Sequence, residues 1–286
     1  MSGGPSAENL VLDHVGVAVR DLDAARETFT RLGFTLTGRS AHTGRATGNH
    51  CAMLGEGYLE LIGLVHPERE SDFPAMLERY AGVHIVAFGC GNAERAYPLL
   101  AAREPAVRPA ELLERDAAFG PNGEETRRAR FRNIHLEAGT YPEARFIFIE
   151  HATPEVLWQP HLLAHANGAS AIAEVAICAG DVAETSGRLS RVLGVAAAGK
   201  GNGIATIDLP RGRIYVLDRA VVPKWSRGID PPVVPSVVGF GVKVADLDAT
   251  VRHLEQAGVP FERHPYPAIW VGPEHAEGTV LSFIQA

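Results

Sequence analysis

The stretch Val19-Arg20-Asp21-Leu22-Asp23-Ala24 near the start of the chain returns near its end as Val244-Ala245-Asp246-Leu247-Asp248-Ala249. Each copy follows an apolar stretch and precedes a helical pattern that stops at a glycine, Gly33 or Gly258, so one offset of 225 residues holds throughout. A unit that returns in register predicts an architecture of repeated modules. A ligand or a metal is expected at the edges of such modules.

The composition is that of a packed globular protein with one large domain or two. The 286 residues are 46% apolar and 21% charged, with a net charge of -7 and no basic block, so neither nucleic acid nor a membrane surface is an expected partner. The sequence shows no secretory signal and no apolar run of about 18 residues that could span a bilayer. Three widely separated cysteines without a C-x-x-C spacing argue against a disulfide framework and predict a cytoplasmic location.

The repeat can be followed along the whole chain as four units that each read β-α-β-β-β. Module one opens with a valine-rich strand over residues 12–19, followed by a helix with Asp21 as its N-cap. The opening recurs at shifts of 70, 160 and 225 residues, in strands over residues 83–88, 171–177 and 237–244. The predicted fold class is therefore α+β. Two connections look irregular: residues 64–81 suggest an extra short helix, and residues 103–127 a loop-rich insertion with some helix.

Three short motifs connect these modules with a known group of proteins. Leu12-Asp13-His14-Val15, Tyr58-Leu59-Glu60-Leu61 and the segment from Thr153-Pro154-Glu155 to Asn167-Gly168-Ala169 resemble the glyoxalase-like branch of the vicinal oxygen chelate superfamily. That superfamily includes glyoxalases, extradiol dioxygenases and bleomycin-resistance proteins. The resemblance implies that two modules pair into a curved sheet around a cavity. Four modules would then form an N-terminal domain over residues 8–152, a linker over 153–169 and a degenerate C-terminal domain over 170–286.

Strand registers select four candidate metal ligands in the N-terminal half. Side chains alternate across a strand, so His14 is expected opposite the valines that pack under the helix, on the concave side of the sheet. The same reasoning places His84, Glu60 and Glu150 on the concave side. If the last of these strands slips by one residue, His151 replaces Glu150 as the inward residue.

A divalent ion would explain a carboxylate in the apolar strand around Glu60, because an unpaired buried charge is costly. Ligands from His14, Glu60, His84 and Glu150 suit Ni, Fe, Zn, Co or Mn. The resemblance supports the same four positions, because glyoxalase I-type enzymes take one ligand from the first and last strand of each of two modules. The alternative for Glu60 is an ion pair with an arginine.

Further polar residues are candidates for binding a substrate. Asn49 and His50 match a motif of the glyoxalase-like branch and are expected to line the cavity, although Gly-Asn is also ordinary turn chemistry. Arg130 shares a strand face with Arg128 and Arg132, and this face could bind an anionic substrate or simply face solvent.

The chemistry expected from a four-ligand ion is that of a metal-dependent lyase or isomerase. Two open positions would chelate a small substrate with vicinal oxygens and stabilise an enediolate, while Glu60 or Glu150 takes and returns the proton. One alternative is an Fe(II) extradiol-type dioxygenase, although the second half offers only Glu174 and Gly239 at the register of His14. The other is a metal-free small-molecule binding or resistance protein. The protein is expected to be a monomer or a homodimer.

Overall fold

The structure is a computed structural model that describes residues 9–226 and 228–286, without the side chain of Lys200. It contains the four predicted βαβββ modules in order. The first two modules comprise the following elements: β1 (Val11–Ala18), α1 (Leu22–Arg31), β2 (Ser40–Ala41), β3 (Thr47–Met53), β4 (Tyr58–Leu64), α2 (Phe73–Arg79), β5 (Gly82–Gly89), α3 (Ala93–Arg103), β6 (Glu111–Phe119), β7 (Glu125–His135) and β8 (Arg145–His151).

The second half repeats this order after a connection that holds α4 (Pro154–Leu157) and a 3-10 turn (Pro160–Leu162). Its elements are β9 (Ala169–Ala179), α5 (Val182–Leu193), β10 (Ala198–Gly201), β11 (Ile204–Asp208), β12 (Arg213–Asp218), α6 (Val222–Trp225), β13 (Ser236–Val244), α7 (Leu247–Gln256), β14 (Glu262–Arg263), β15 (Ala268–Val271), a 3-10 turn (Pro273–His275) and β16 (Val280–Gln285).

Each module's main helix begins at the same kind of residue. The N-caps of α1, α3, α5 and α7 are Asp21, Asn92, Asp181 and Asp246, and each side chain accepts a hydrogen bond from a backbone N–H of the first turn. Such caps satisfy backbone donors that a helix cannot satisfy itself, and each stabilises its helix by about 1 kcal/mol. The repeated Asp-Leu-Asp-Ala phrase is therefore a pair of helix start signals.

The strands form two eight-stranded mixed sheets with matching orders. In sheet one the order is β2-β3-β4-β1-β5-β8-β7-β6, and in sheet two it is β10-β11-β12-β9-β13-β16-β15-β14. The first strands of paired modules lie antiparallel at the centre, and each runs parallel to the last strand of its own module. The expectation of an α+β fold built from two curved-sheet units is confirmed, while the residue limits given above for the two domains stay a prediction.

One large hydrophobic core lies on the helix side of both sheets. It contains buried residues of α1, α3, α5 and α7 together with the outward faces of central strands from both halves, among them Val15, Phe88, Val175 and Phe240. Sheet one has a second, smaller apolar cluster on its other face, which includes Ala87, Ile147 and Ile149. A residue of sheet one can therefore be assigned to the helix side or to the other face by the apolar cluster that it belongs to.

Two of the irregular connections can be compared with expectation. The extra helix predicted within residues 64–81 is present as α2. The expectation of a loop-rich insertion over residues 103–127 was wrong, because this segment supplies β6, an edge strand paired with β7. Three consecutive charged residues at its centre, Glu114-Arg115-Asp116, interrupt the alternation of apolar and polar residues that is typical of a strand. Among the described residues, no helix is long and apolar enough to cross a membrane.

Candidate functional site

Sheet one curves around a cavity of about 710 Å3 that is lined by residues of both its modules. The two edge strands meet across the opening, where the Ser40 hydroxyl of β2 lies 3.4 Å from the Asp116 carbonyl oxygen of β6. Arg115 of β6 donates to the same hydroxyl at 2.9 Å. The cavity is within the size range of sites that bind small molecules.

Module one supplies a polar wall to this cavity through His14, Asn49, Tyr58 and Glu60. Glu60 is buried, and its Oε1 accepts a hydrogen bond of 2.6 Å from the Asn49 amide. The Nε2 of His42 lies 3.4 Å from the same oxygen. The strand registers therefore placed His14 and Glu60 correctly on the concave face, and Asn49 lines the cavity as expected.

The Glu60 carboxylate stays ionised despite its burial. Burial raises its pKa, but the hydrogen bond and charge of His42, the charge of His14 and the hydrogen bond from Asn49 lower it, and the net result is a pKa of about 2. The alternative that Glu60 pairs with an arginine is not what the structure shows, since its partners are a histidine and an amide. A carboxylate held in this state can only accept hydrogen bonds.

A β-bulge in β1 brings Asp13 and His14 together. The pairing of β1 with β5 slips between Leu12 and His14, which leaves Asp13 as the extra residue. Neighbouring side chains of a regular strand point to opposite faces and cannot meet. Here Nδ1–H of His14 donates to Oδ1 of Asp13 at 2.8 Å. The chain on the other side of the bulge is fixed by the second half, because Leu12 N–H donates to the Arg211 carbonyl oxygen at 2.8 Å.

Asp13 also accepts a hydrogen bond of 3.1 Å from Nε2–H of His151. Burial raises the pKa of Asp13, but the charge of His151 and the hydrogen bonds from both histidines lower it far below its ordinary value. The carboxylate is therefore ionised and orients two imidazoles. Because Nδ1 of His14 is the donor to Asp13, its Nε2 remains as the nitrogen available to the cavity.

Tyr58 packs directly on this pair. Its ring stacks on the His14 ring with centroids 4.1 Å apart, and its hydroxyl lies 3.3 Å from Nε2 of His14. Burial, followed by the charges of Glu60 and Asp13, raises the pKa of Tyr58 well above its ordinary value. Tyr58 is therefore a neutral phenol that can donate a hydrogen bond into the cavity.

His84 does not join the cavity, and the expectation about its strand face was wrong. Its Nε2–H donates to the Tyr80 carbonyl oxygen at 2.8 Å, and its ring stacks on the Tyr80 ring. The residues of β5 that line the cavity or its apolar cluster are Ile85 and Ala87, whereas Val86 and Phe88 belong to the helix-side core. His84 has the same parity as these two core residues, and a second bulge between Gly16 and Val17 leaves it as the extra residue of the strand pair.

Glu150 also faces away from the cavity. Its Oε2 accepts a hydrogen bond of 2.8 Å from the Ala93 N–H at the start of α3, and its Oε1 accepts one of 2.8 Å from Arg132. Ile147 and Ile149, which have the other strand parity, line the cavity. The inward residue at the end of this strand is therefore His151, the alternative that a slip of one residue would give.

Helix starts give the correct alignment of the two modules. The N-caps Asp21 and Asn92 are 71 residues apart, one more than the offset read from the strands. With this offset His14 corresponds to Ile85, and Asp13 corresponds to His84. Strand pairing agrees, because Gly16 pairs with Glu60 in module one as Ala87 pairs with Ile147 in module two. Module two therefore has two isoleucines where module one has His14 and Glu60.

A divalent ion bound by all four predicted ligands does not fit this arrangement. Two of the four, His84 and Glu150, make other contacts, and the positions equivalent to His14 and Glu60 in module two are aliphatic. Across residues 9–226 and 228–286, no group of three or more His, Cys, Asp and Glu side chains is arranged to hold a metal ion.

Two other predicted substrate-binding residues lie outside the cavity lining. His50 is buried beneath α1, where its Nδ1–H donates to the Thr37 carbonyl oxygen at 2.8 Å. Arg130 faces the outside of β7 and pairs with Glu114 at 2.7 Å. The residues of β7 that line the cavity are Phe131 and Asn133, which have the opposite parity.

Sequence reasoning missed Asp13, Tyr58 and Arg115 as site residues, although the first two lie in the motifs quoted above. Nothing in a single sequence marks the bulge that turns Asp13 toward His14. Tyr58 shares the inward parity of Glu60, which was a usable signal. Arg115 was hidden because its strand was expected to be a loop.

The described residues of the second half do not repeat the polar wall. The N-cap offsets place Glu174 and Gly239 at the positions equivalent to His14, and strand pairing places Tyr215 and Ser282 at those equivalent to Glu60. Burial raises the pKa of Glu174 to about 7, against an opposing effect of the Arg213 charge. The candidate site is therefore the N-terminal cavity.

Comparison with known proteins places the fold in a recognised group. The sequence model of the glyoxalase-like domain family matches residues 12–193. A search of curated protein sequences gives no significant match. Among solved structures, a hypothetical protein from Staphylococcus aureus is 14% identical with a TM-score of 0.66, and the alignment covers 97% of this chain and 100% of the other.

Two further structures are described by the enzymes they contain. A triple mutant of 4-hydroxymandelate synthase from Streptomyces coelicolor is 14% identical with a TM-score of 0.58, covering 97% of this chain and 92% of the other. A fusion protein of a xylose isomerase-like TIM barrel and 4-hydroxyphenylpyruvate dioxygenase is 13% identical with a TM-score of 0.62, covering 98% and 49%. At these identities the likeness is one of fold alone.

Proposed function

Because this chain belongs to the glyoxalase-like domain family, we propose that it is a lyase or isomerase that moves a proton on a small enolisable substrate in the N-terminal cavity. The observation that carries the proposal is the Asp13–His14 hydrogen bond, which leaves Nε2 of His14 at a cavity that also contains the Glu60 carboxylate. A substrate with vicinal oxygens, such as a hydroxyketone, fits this set of polar groups.

His14 is proposed as the general base. The Asp13 carboxylate fixes the tautomer in which Nε2 carries the lone pair, and its negative charge stabilises the imidazolium that forms when the proton arrives. A positioned base of this kind contributes about 10² to 10⁴ in rate. The same nitrogen can return the proton to a neighbouring atom of the substrate.

Tyr58 and Glu60 are proposed to bind the substrate's oxygens. In the free protein the Tyr58 hydroxyl lies 3.3 Å from Nε2 of His14, and with substrate bound we propose that it donates instead toward the oxygen on which negative charge develops. Its raised pKa keeps the proton in place. The Glu60 carboxylate accepts a hydrogen bond from a substrate hydroxyl, and Asn49 holds that carboxylate in position. The two groups would thus distinguish a carbonyl oxygen from a hydroxyl oxygen.

This proton transfer uses side chains alone, since the donor set does not suit a four-ligand ion. An Fe(II) dioxygenase of the kind considered from the sequence requires two histidines and a carboxylate on one ion. The cavity lining contains His14, His42, His135 and Glu60, but across residues 9–226 and 228–286 no three such side chains are arranged to hold an ion. The likeness to 4-hydroxymandelate synthase therefore supports the fold and not that activity.

The proposed setting is the cytoplasm, with a small molecule as the binding partner and neither nucleic acid nor membrane involved. The three cysteines support this location, because all are buried and none is paired. The chain would act as a monomer or a homodimer.

The proposal can be tested by hydrogen exchange at the substrate's α-carbon. Hydroxyacetone, glyceraldehyde and pyruvate are incubated with the protein in D2O, and deuterium uptake is followed by NMR. The wild type is expected to accelerate exchange of at least one compound. His14→Gln and Asp13→Asn should each lower that rate by about 10² or more.

The matched control is His161→Gln, which makes the same change at an exposed histidine. It should exchange like the wild type. Exchange at the buffer rate with all three compounds, or full activity of His14→Gln, would contradict the proposal. Binding without exchange would instead support the metal-free binding protein.

A further inference from the structure

Arg115 of β6 is a buried cation at the wall of the cavity. Arg115 is only 6% exposed to solvent, and it lines the cavity. One guanidinium nitrogen donates to the Ser40 hydroxyl at 2.9 Å, and the other terminal nitrogen lies 3.9 Å from the Cys51 sulfur. The group also lies 5.8 Å from the centre of the Phe131 ring.

None of these contacts is with an anion. Within the described parts of the chain, no carboxylate lies within 4.0 Å of the Arg115 guanidinium. The other two arginines that line the cavity differ in this respect, since Arg45 lies 3.8 Å from Glu111 and Arg145 pairs with Asp72. A guanidinium has five N–H donors, and a buried charge without a counter-ion lowers stability.

Another part of the cavity wall is apolar, although Asn133, His135 and Arg145 of module two also line the cavity. Ile85, Ile147 and Ile149 of the same module line this apolar part, and Phe73 of α2 adjoins them. A ligand that satisfies both parts of the wall therefore has an apolar body and one compact anionic group. The planar fork of an arginine matches the two oxygens of a carboxylate.

We propose that the cavity binds small carboxylic acids with an apolar body, and that Arg115 binds the carboxylate. This inference rests on the proposed function, because it names the substrate class of the same cavity. The carboxylate would hold one end of the substrate while His14 acts on the carbon next to its carbonyl. Substrates of the proposed proton transfer would thus be oxo acids with an apolar side chain.

The test compares acids with neutral amides of the same shape. Phenylacetate, 3-phenylpropanoate and hexanoate are titrated against the protein by calorimetry at millimolar concentration, each beside its amide. The wild type is expected to bind at least one acid about tenfold or more tightly than its amide, as a charge-assisted hydrogen bond allows. Arg115→Gln should abolish this preference, and Arg115→Lys should retain part of it.

The matched control is Arg127→Gln, which changes an exposed arginine of β7 that pairs with Glu125 outside the cavity. It should keep the full preference. Arg115→Gln is also expected to unfold at or above the wild-type temperature, because it removes an uncompensated buried charge. Arg115→Lys retains the charge and provides a second folded variant.

Equal affinity for acids and amides, absence of binding by all three acids, or an unchanged preference in Arg115→Gln would overturn the inference. Binding is measured without turnover, so the two proposals fail separately. A wild type that exchanges deuterium but shows no preference for acids contradicts only the role of Arg115. An acid preference that survives in a protein without exchange contradicts only the proton transfer.

Discussion

At the scale of single residues, Glu60 shows how a buried carboxylate can remain charged. Its folded-state pKa of about 2 lies below its ordinary value of 4.5 because His42, His14 and Asn49 together outweigh burial. A carboxyl group with a depressed pKa stabilises the fold above its unfolded-state pKa. The stabilisation is lost as the pH falls through the folded-state value.

We therefore expect Glu60 to contribute to acid unfolding between pH 4.5 and about pH 2. The shift corresponds to a stabilisation on the order of 3 kcal/mol at neutral pH. Urea unfolding at a series of pH values should show the advantage of wild type over Glu60→Gln shrinking across this window. Glu94→Gln, at an exposed position of α3, serves as the control and should follow the wild type. A pH-independent difference would contradict the assigned pKa.

At the scale of elements, the end of β8 is tied to the start of α3 by Glu150. This carboxylate accepts from the Ala93 N–H and from Arg132, so it occupies the positive end of the helix. Its role is therefore to join a strand and a helix of module two.

Glu150→Gln is expected to lower the free energy of unfolding by about 1 kcal/mol, because it removes a charge at a helix N-terminus and one ion pair. Chemical denaturation measures this change. Deuterium exchange by the folded variant should stay close to that of wild type, since Glu150 does not reach the cavity. Loss of deuterium exchange together with unchanged stability would contradict this role and support Glu150 as a metal ligand.

The elements also show how far sequence reasoning reached. The repeated helix start signals around Asp21 and Asp246 were sufficient to predict the repeated modules. N-capping depends on a few neighbouring residues, so it can be recognised directly in the sequence. The strand faces of His84 and Glu150 were not predicted correctly, because both parities of their strands are apolar and alternation alone does not say which one packs under the helices. In the structure, Phe88 of β5 and Phe148 of β8, which share the parity of His84 and Glu150, belong to the helix-side core. Aligning modules on the N-caps Asp21 and Asn92 would have corrected His84.

At the scale of the whole molecule, two repeated modules line the cavity. At equivalent positions, module one has polar side chains and module two has aliphatic ones. Ile85 and Ile147 occupy in module two the positions that His14 and Glu60 occupy in module one. The double variant Ile85→His, Ile147→Glu would thus complete a set of two imidazoles and two carboxylates. Such a set suits Zn or Ni.

We expect this double variant to bind Zn²⁺ at least about tenfold more tightly than the wild type, as judged by competition with a chromophoric chelator. Adding His14→Gln to the double variant should reverse the gain, which controls for non-specific binding. Equal zinc affinity of the wild type and the double variant would contradict the proposed equivalence of the two modules.

The contact between Leu12 N–H and the Arg211 carbonyl oxygen joins the bulged first strand to the half of the chain that lacks a polar wall. The shared core of helices makes the same connection over a larger area. We therefore expect substitutions around Arg211 to alter the proposed proton transfer, because they would shift the bulge that sets Asp13 and His14. Selection on the proposed activity would thus also act on residues of the second half.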